Sequence, residues 1–87
     1  MENKFHLDIL TPSKVIYDGD VLSVIVPAYK GEMGILAHHE PFLACIKEGD
    51  IKVRDVSGKN SAFKVSGAGF LKVRENKAVI LLDPEKN

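Results

Sequence analysis

Phe63-Lys64-Val65-Ser66-Gly67-Ala68-Gly69-Phe70-Leu71-Lys72-Val73-Arg74 is the stretch that decides the fold. On either side of a Ser-Gly-Ala-Gly centre, apolar residues alternate with charged ones. Phe63 and Val65 flank Lys64, and Leu71 and Val73 flank Lys72. A period of two puts one set of side chains on a core face and the other in water. A glycine-rich centre followed by a helix would suggest a phosphate cradle, because a helix N-terminus offers unpaired amide donors to an anion. Here a second strand follows, so the glycines read as a turn or a bulge.

The same alternation runs outward in both directions. Phe5, Leu7 and Ile9 alternate with Lys4, His6 and Asp8; Ile51 and Val53 alternate with Lys52 and Arg54. Turn signals separate the runs: Thr11-Pro12-Ser13, Asp18-Gly19-Asp20, Glu48-Gly49-Asp50, Ser57-Gly58-Lys59-Asn60 and Glu75-Asn76. Each offers residues that tolerate positive φ or bond their own backbone. No long window carries a helical period. The expectation is an all-β chain: a two-layer antiparallel β-sandwich of roughly eight to ten short strands, forming a single domain over residues 1–87.

Two runs break the alternation, Val21-Leu22-Ser23-Val24-Ile25-Val26 and Ala78-Val79-Ile80-Leu81-Leu82. A central strand covered on both sides accounts for such runs. A two-layer sandwich, however, leaves its outer faces to water. One outward pair of the last strand, either Ile80 and Leu82 or Val79 and Leu81, is then expected in an exposed apolar patch, the usual mark of an interaction surface. Phe70 shares its side with Lys72 and Arg74, the side expected to be wet.

Composition narrows the function. Twelve basic and twelve acidic residues cancel, which disfavours nucleic acid, whose phosphates need a basic stripe. It equally disfavours an electrostatic membrane anchor. The one cysteine, Cys45, cannot form an internal disulfide and suits a reducing compartment. Its run Phe42-Leu43-Ala44-Cys45-Ile46 reads as core. No apolar run has the length of a spanning helix, and the start Met1-Glu2-Asn3-Lys4 lacks the apolar stretch of a secretion signal.

No catalytic pattern emerges. His6, His38 and His39 are the three histidines, and zinc needs three or four convergent ligands; the expectation is no metal and no cofactor. Cys45 has no base beside it in sequence, and no G-x-S-x-G is present. Asp18 with Asp20, and Glu48 with Asp50, read as turn residues around glycines rather than as calcium ligands. The stretch Lys30-Gly31-Glu32-Met33-Gly34-Ile35-Leu36-Ala37-His38-His39-Glu40-Pro41 reads as a shaped surface loop feeding a short strand, a common place for binding residues. Glu32 is its candidate contact, or else a solvated loop carboxylate.

Six segments in order resemble the epsilon subunit of F-type ATP synthases. Phe5-His6-Leu7-Asp8-Ile9-Leu10-Thr11-Pro12 is similar to that family's opening strand, and Val15-Ile16-Tyr17-Asp18-Gly19-Asp20-Val21 to its second. Ser23-Val24-Ile25-Val26-Pro27-Ala28 and Gly31-Glu32-Met33-Gly34-Ile35-Leu36, with His39 and Pro41-Phe42-Leu43, resemble the next two motifs. Val65-Ser66-Gly67 leading to Phe70-Leu71-Lys72-Val73, and Ala78-Val79-Ile80-Leu81-Leu82-Asp83, complete the match. Ala37-His38 stands where the family has Pro-Gly, Ala28 where it has Gly, and Ala68 reads as one extra residue in a Gly-Gly turn.

The resemblance implies a non-catalytic rotor subunit of a proton-translocating ATP synthase. Its partners would be the gamma subunit of the central stalk and the c-ring, without nucleic acid and without direct membrane insertion. It would sit peripherally on the cytoplasmic face of a bacterial inner membrane, or on a thylakoid stromal face. By position it places Gly31, Glu32 and Met33, with His39 nearby, at the c-ring end, and suggests Phe70, Ile80 and Leu82 as stalk contacts. The family's two-helix C-terminal hairpin has no counterpart before the closing Pro84-Glu85-Lys86-Asn87, so no hairpin-borne inhibition or ATP binding is expected here. A different class, a sandwich binding a carbohydrate or other small ligand, would need aromatic platforms. Tyr17, Tyr29 and four phenylalanines, with no tryptophan, supply few. A small hydrolase finds still less support.

Overall fold

In the computed structural model, which describes residues 3–83, there are eight strands and no helix among the described residues. They are β1 (Phe5–Leu10), β2 (Val15–Ala28), β3 (Gly31–Leu36), β4 (Phe42–Ile46), β5 (Gly49–Asp55), β6 (Asn60–Val65), β7 (Gly69–Arg74) and β8 (Lys77–Leu82). They form the two layers of a sandwich. The first runs β2–β1–β8–β7–β4 and the second β3–β2–β5–β6. Every pair is antiparallel except β1 with β8, which is parallel.

Strand β2 belongs to both layers. Its first half pairs with β1, from Val21 opposite Phe5 to Val15 opposite Leu10. Its second half pairs with β5 and β3. The crossing is made at Leu22: Val21 faces Asp55 and Ser23 faces Arg54, leaving Leu22 as an extra residue. A bulge of this kind bends the strand and reverses which side chains point inward. That is why Val21 is buried before it and Val24 and Val26 after it. The unbroken apolar run thus encodes a change of layer as well as a covered strand.

The inward residues of both layers make one core. Leu7, Ile9, Val21, Val24, Val26, Ile35, Ile46, Ile51, Leu71 and Ile80 are fully buried, and no polar or charged side chain is buried among the described residues. Each fully buried aliphatic side chain of this size contributes about 1.5–3 kcal/mol. One close approach favours glycine. A Cβ at Gly69 would lie 2.7 Å from Leu82 Cδ2 and 3.1 Å from the Leu81 carbonyl oxygen.

The sequence expected Asp18-Gly19-Asp20 to be a turn; it is the middle of a strand. Asp18, Gly19 and Asp20 sit opposite Asp8, Leu7 and His6, and the cross-strand pairing overrides the local turn preference. The Ser66-to-Ala68 segment does connect two strands, β6 and β7. Glu75 and Asn76 both take positive φ, 51° and 59°, the paired left-handed conformation of a tight hairpin. Asp55 closes the β5–β6 connection, accepting from the Ser57 amide, the Ser57 hydroxyl and the Lys59 amide at 2.9, 2.7 and 3.0 Å. Those bonds, the Ser57 hydroxyl foremost, hold its carboxyl below the usual range.

Candidate partner surfaces

The outer side of the first layer carries an apolar patch. Register aligns Leu10, Leu81, Phe70 and Cys45 in one row across β1, β8, β7 and β4, and Asp8, Val79, Lys72 and Leu43 in the next. Leu81, Phe70 and Leu43 are 50%, 40% and 60% exposed. A groove of about 400 Å³ runs past Leu10, Pro12, Phe70 and Leu81. The patch corrects three sequence expectations. Ile80 and Leu82, named as contacts, are core residues at 0% and 8% exposure. The outward pair is Val79 and Leu81, because β8's pairing with β7 puts Ile80 beside the buried Leu71. Cys45, read as core, is exposed, since Ala44 and Ile46 take the inward parity of β4. Phe70 lies where the alternation placed it.

A second surface is the tip of the β2–β3 hairpin. Tyr29 and Lys30 form its turn, and Gly31 follows with φ of 113°, a conformation open to glycine and strained for other residues. Glu32 is exposed and accepts from Lys52 Nζ at 3.0 Å. Met33 points inward and packs against the core. Pro27 lies opposite Glu32, and its carbonyl accepts from the Lys47 amide at 3.0 Å. The tip is therefore braced by both its own layer and the start of the next connection.

His39 lies elsewhere. Strand β3 runs from Gly31 beside Ala28 to Leu36 beside Ser23, a climb of about 17 Å. The connection to β4 then crosses at that far end. There the His39 ring meets Phe42 edge-on at 5.8 Å, and its Nδ1–H donates to the Glu40 carbonyl at 2.7 Å. The neighbouring His38 takes φ of 63° and donates its amide to Asn76 Oδ1 at 2.7 Å. Asn76 in turn donates from Nδ2 to the Lys4 carbonyl at 2.9 Å. The expected proximity of His39 to Gly31, Glu32 and Met33 is thus corrected: they occupy opposite ends of the sandwich.

Sequence reading missed one cluster. His6 Nε2 lies 2.7 Å from Asp18 Oδ1 and 3.1 Å from Asp8 Oδ1, while Nδ1 lies 3.1 Å from Asp20 Oδ1. Reading Asp18-Gly19-Asp20 as a turn hid it. Read as strand, that tripeptide places both carboxylates on the face of His6 and Asp8, which share their parity.

Residues 4–84 match the family described as "ATP synthase, Delta/Epsilon chain, beta-sandwich domain". The chain belongs to that family. Among its relatives is the ATP synthase epsilon chain of Dichelobacter nodosus, 34% identical over 95% of this chain and 57% of that one. Another is the "ATP synthase epsilon chain, sodium ion specific" of Propionigenium modestum, 39% identical over 91% of this chain and 56% of that one. The chain therefore spans just over half the length of these two relatives. It spans 92% of the epsilon chain of Chlorobium limicola, at 37% identity over 94% of its own length. Among solved structures, a chain of the Euglena gracilis mitochondrial ATP synthase superposes with a TM-score of 0.86 at 23% identity, covering 94% of this chain and 52% of that one. That likeness is one of fold, and it agrees with the two-layer sandwich read from the alternation.

Proposed function

We propose that this epsilon-family sandwich is a non-catalytic rotor subunit of an F-type ATP synthase. It binds the gamma subunit of the central stalk and seats that stalk on the c-ring, so that ion flow stays coupled to ATP synthesis. It works as a peripheral part of the membrane-bound complex, on the cytoplasmic face of a bacterial inner membrane. The observation that carries the reading is the apolar patch on a chain of this family. Phe70, Leu81, Val79 and Leu43 form one contiguous outer surface, of the kind that marks a protein contact. We assign it to gamma. The hairpin tip with Gly31 and Glu32 is assigned to the c-ring, where an exposed carboxylate can fix register against polar loops. His39, at the other end, is left out of that contact.

The test is direct. The chain is mixed with the gamma subunit from the same source and run on size-exclusion chromatography. A stoichiometric complex supports the assignment; a folded chain that elutes alone counts against it. The coupled ion is proposed to be the proton. Because a 39% identical relative is named as sodium ion specific, this is tested separately. ATP synthesis by the assembled complex should persist in sodium-free buffer, and dependence on sodium would overturn the proton assignment.

A further inference from the structure

The cluster on the outer side of β1, β2 and β8 combines three carboxylates with three basic groups. Asp8 and Asp18 sit directly opposite each other in register, an arrangement that is destabilising for two like charges left alone. His6 sits between them and Asp20. Lys77, from β8, reaches Asp8 at 3.6 Å, and Lys4 reaches Asp20 at 3.5 Å. On the next strand, β7, Arg74 pairs with Glu75 at 3.7 Å, and Lys72 stands two residues away beside Val79. With His6 protonated, Lys4, His6 and Lys77 balance Asp8, Asp18 and Asp20. A neutral imidazole leaves the cluster one negative charge in excess. It can also donate through only one nitrogen, so either Asp20 or the Asp8–Asp18 pair loses its donor.

We propose that His6 is a proton-held clasp: as an imidazolium it ties β1 to β2 by donating to Asp20 from one ring nitrogen and to Asp18 and Asp8 from the other, and its deprotonation loosens that edge of the sandwich. A proton suits the geometry better than a metal ion. The 2.7 Å separation from Asp18 is that of a charge-assisted hydrogen bond, the two 3.1 Å separations are those of ordinary hydrogen bonds, and the two lysines already pair with Asp8 and Asp20. The consequence reaches beyond the clasp. The backbone beside His6 is the Lys4 carbonyl that holds Asn76, and Asn76 holds the His38 amide. Loosening β1 therefore relaxes the anchor of the connection that carries His39.

The direction with pH follows from the two shifts. The hydrogen bond to Asp20 raises His6 above its ordinary 6.5; burial opposes it, and the contacts with Asp8 and Asp18 add to the rise. A raised group stabilises fully below its unfolded value and loses that contribution as pH rises through the folded value. Asp20 is held below its ordinary 3.8, chiefly by the hydrogen bond from His6. Its contribution is present above that value and is lost as pH falls through the lowered one. The clasp is closed between the two, in mildly acid to neutral solution.

The test is an NMR titration of the His6 ring in the intact chain, with thermal melting at pH 6 and pH 9. The expected midpoint lies above 6.5, and Asp20→Asn moves it downward. The wild-type melting temperature is expected to fall by about 3 °C over that interval, and His6→Gln to abolish most of the fall. The His38 amide, which donates to Asn76, is expected to exchange faster at pH 9 than base catalysis alone predicts. A wild-type midpoint at or below 6.5, or one that Asp20→Asn leaves in place, would overturn the clasp whether or not His6→Gln folds. A His6→Gln chain that keeps the full wild-type fall would do the same, since the fall would then have its source outside the clasp.

Discussion

The two outer faces of the sandwich are built from the same alternating strands yet present different chemistry. On the second layer, Lys52 pairs with Glu32 across the sheet, and Asp50, Arg54, Asn60 and Lys64 carry most of the face into water, with Leu36, Ile25 and Ala62 as scattered apolar members. On the first layer the corresponding outward rows hold Leu10, Leu81, Phe70 and Leu43, with charge confined to the His6 end and to Lys72. A small domain has no need of an apolar outer face for its own stability; burying that face requires a second body. The difference supports the proposal that the first layer's outer face is the docking side.

The sharpest way to break this contrast is to compare neighbours on one strand. Ile80→Ala removes a fully buried side chain and should lower unfolding free energy in urea by about 2–5 kcal/mol. Its neighbour Leu81→Lys should leave stability within about 0.5 kcal/mol yet weaken gamma binding at least tenfold, about 1.4 kcal/mol, by isothermal titration. Equal effects of the two on stability would mean that β8 does not have the parity described. Glu32→Ala should likewise cost little stability, about 0–1 kcal/mol, because its ion pair with Lys52 is exposed. It should nevertheless reduce ATP synthesis per ion gradient in the assembled complex; unchanged coupling would remove the hairpin tip from the c-ring assignment. Smallest of all, Arg54→Ser on the solvent face should change neither urea stability beyond about 0.5 kcal/mol nor gamma affinity. A loss of affinity there would move the docking side to the other layer.

Much of this was legible in the residues. Alternation in Phe5–Leu10, Gly49–Asp55, Asn60–Val65 and Gly69–Arg74 marked the inward sets correctly, because burial and period are locked together in a strand. Where both parities are apolar, as in Lys77–Leu82, the sequence leaves the facing open, and the register with β1 and β7 decides it. The bulge at Leu22 left no local sign, since it arises from matching β2 to two partners at once. The position of His39 was hidden for a plain geometric reason: eight residues separate it from Gly31 in sequence, but β3 spends most of them travelling straight to the other end. The cluster around His6 was hidden by a correct local rule, that Asp-Gly-Asp favours turns, which lost to cross-strand pairing.

Strand β2 spans 14 residues and serves both layers, about 45 Å of continuous backbone from the Thr11–Lys14 turn to the hairpin tip. In the rotor setting proposed above, a tangential load applied at that tip travels along covalent bonds into the layer that carries the docking patch. It does not have to cross the greasy seam between sheets, where layers can slip. The sandwich is in this sense laced rather than stacked, and twisting torque meets a thread before it meets a gap.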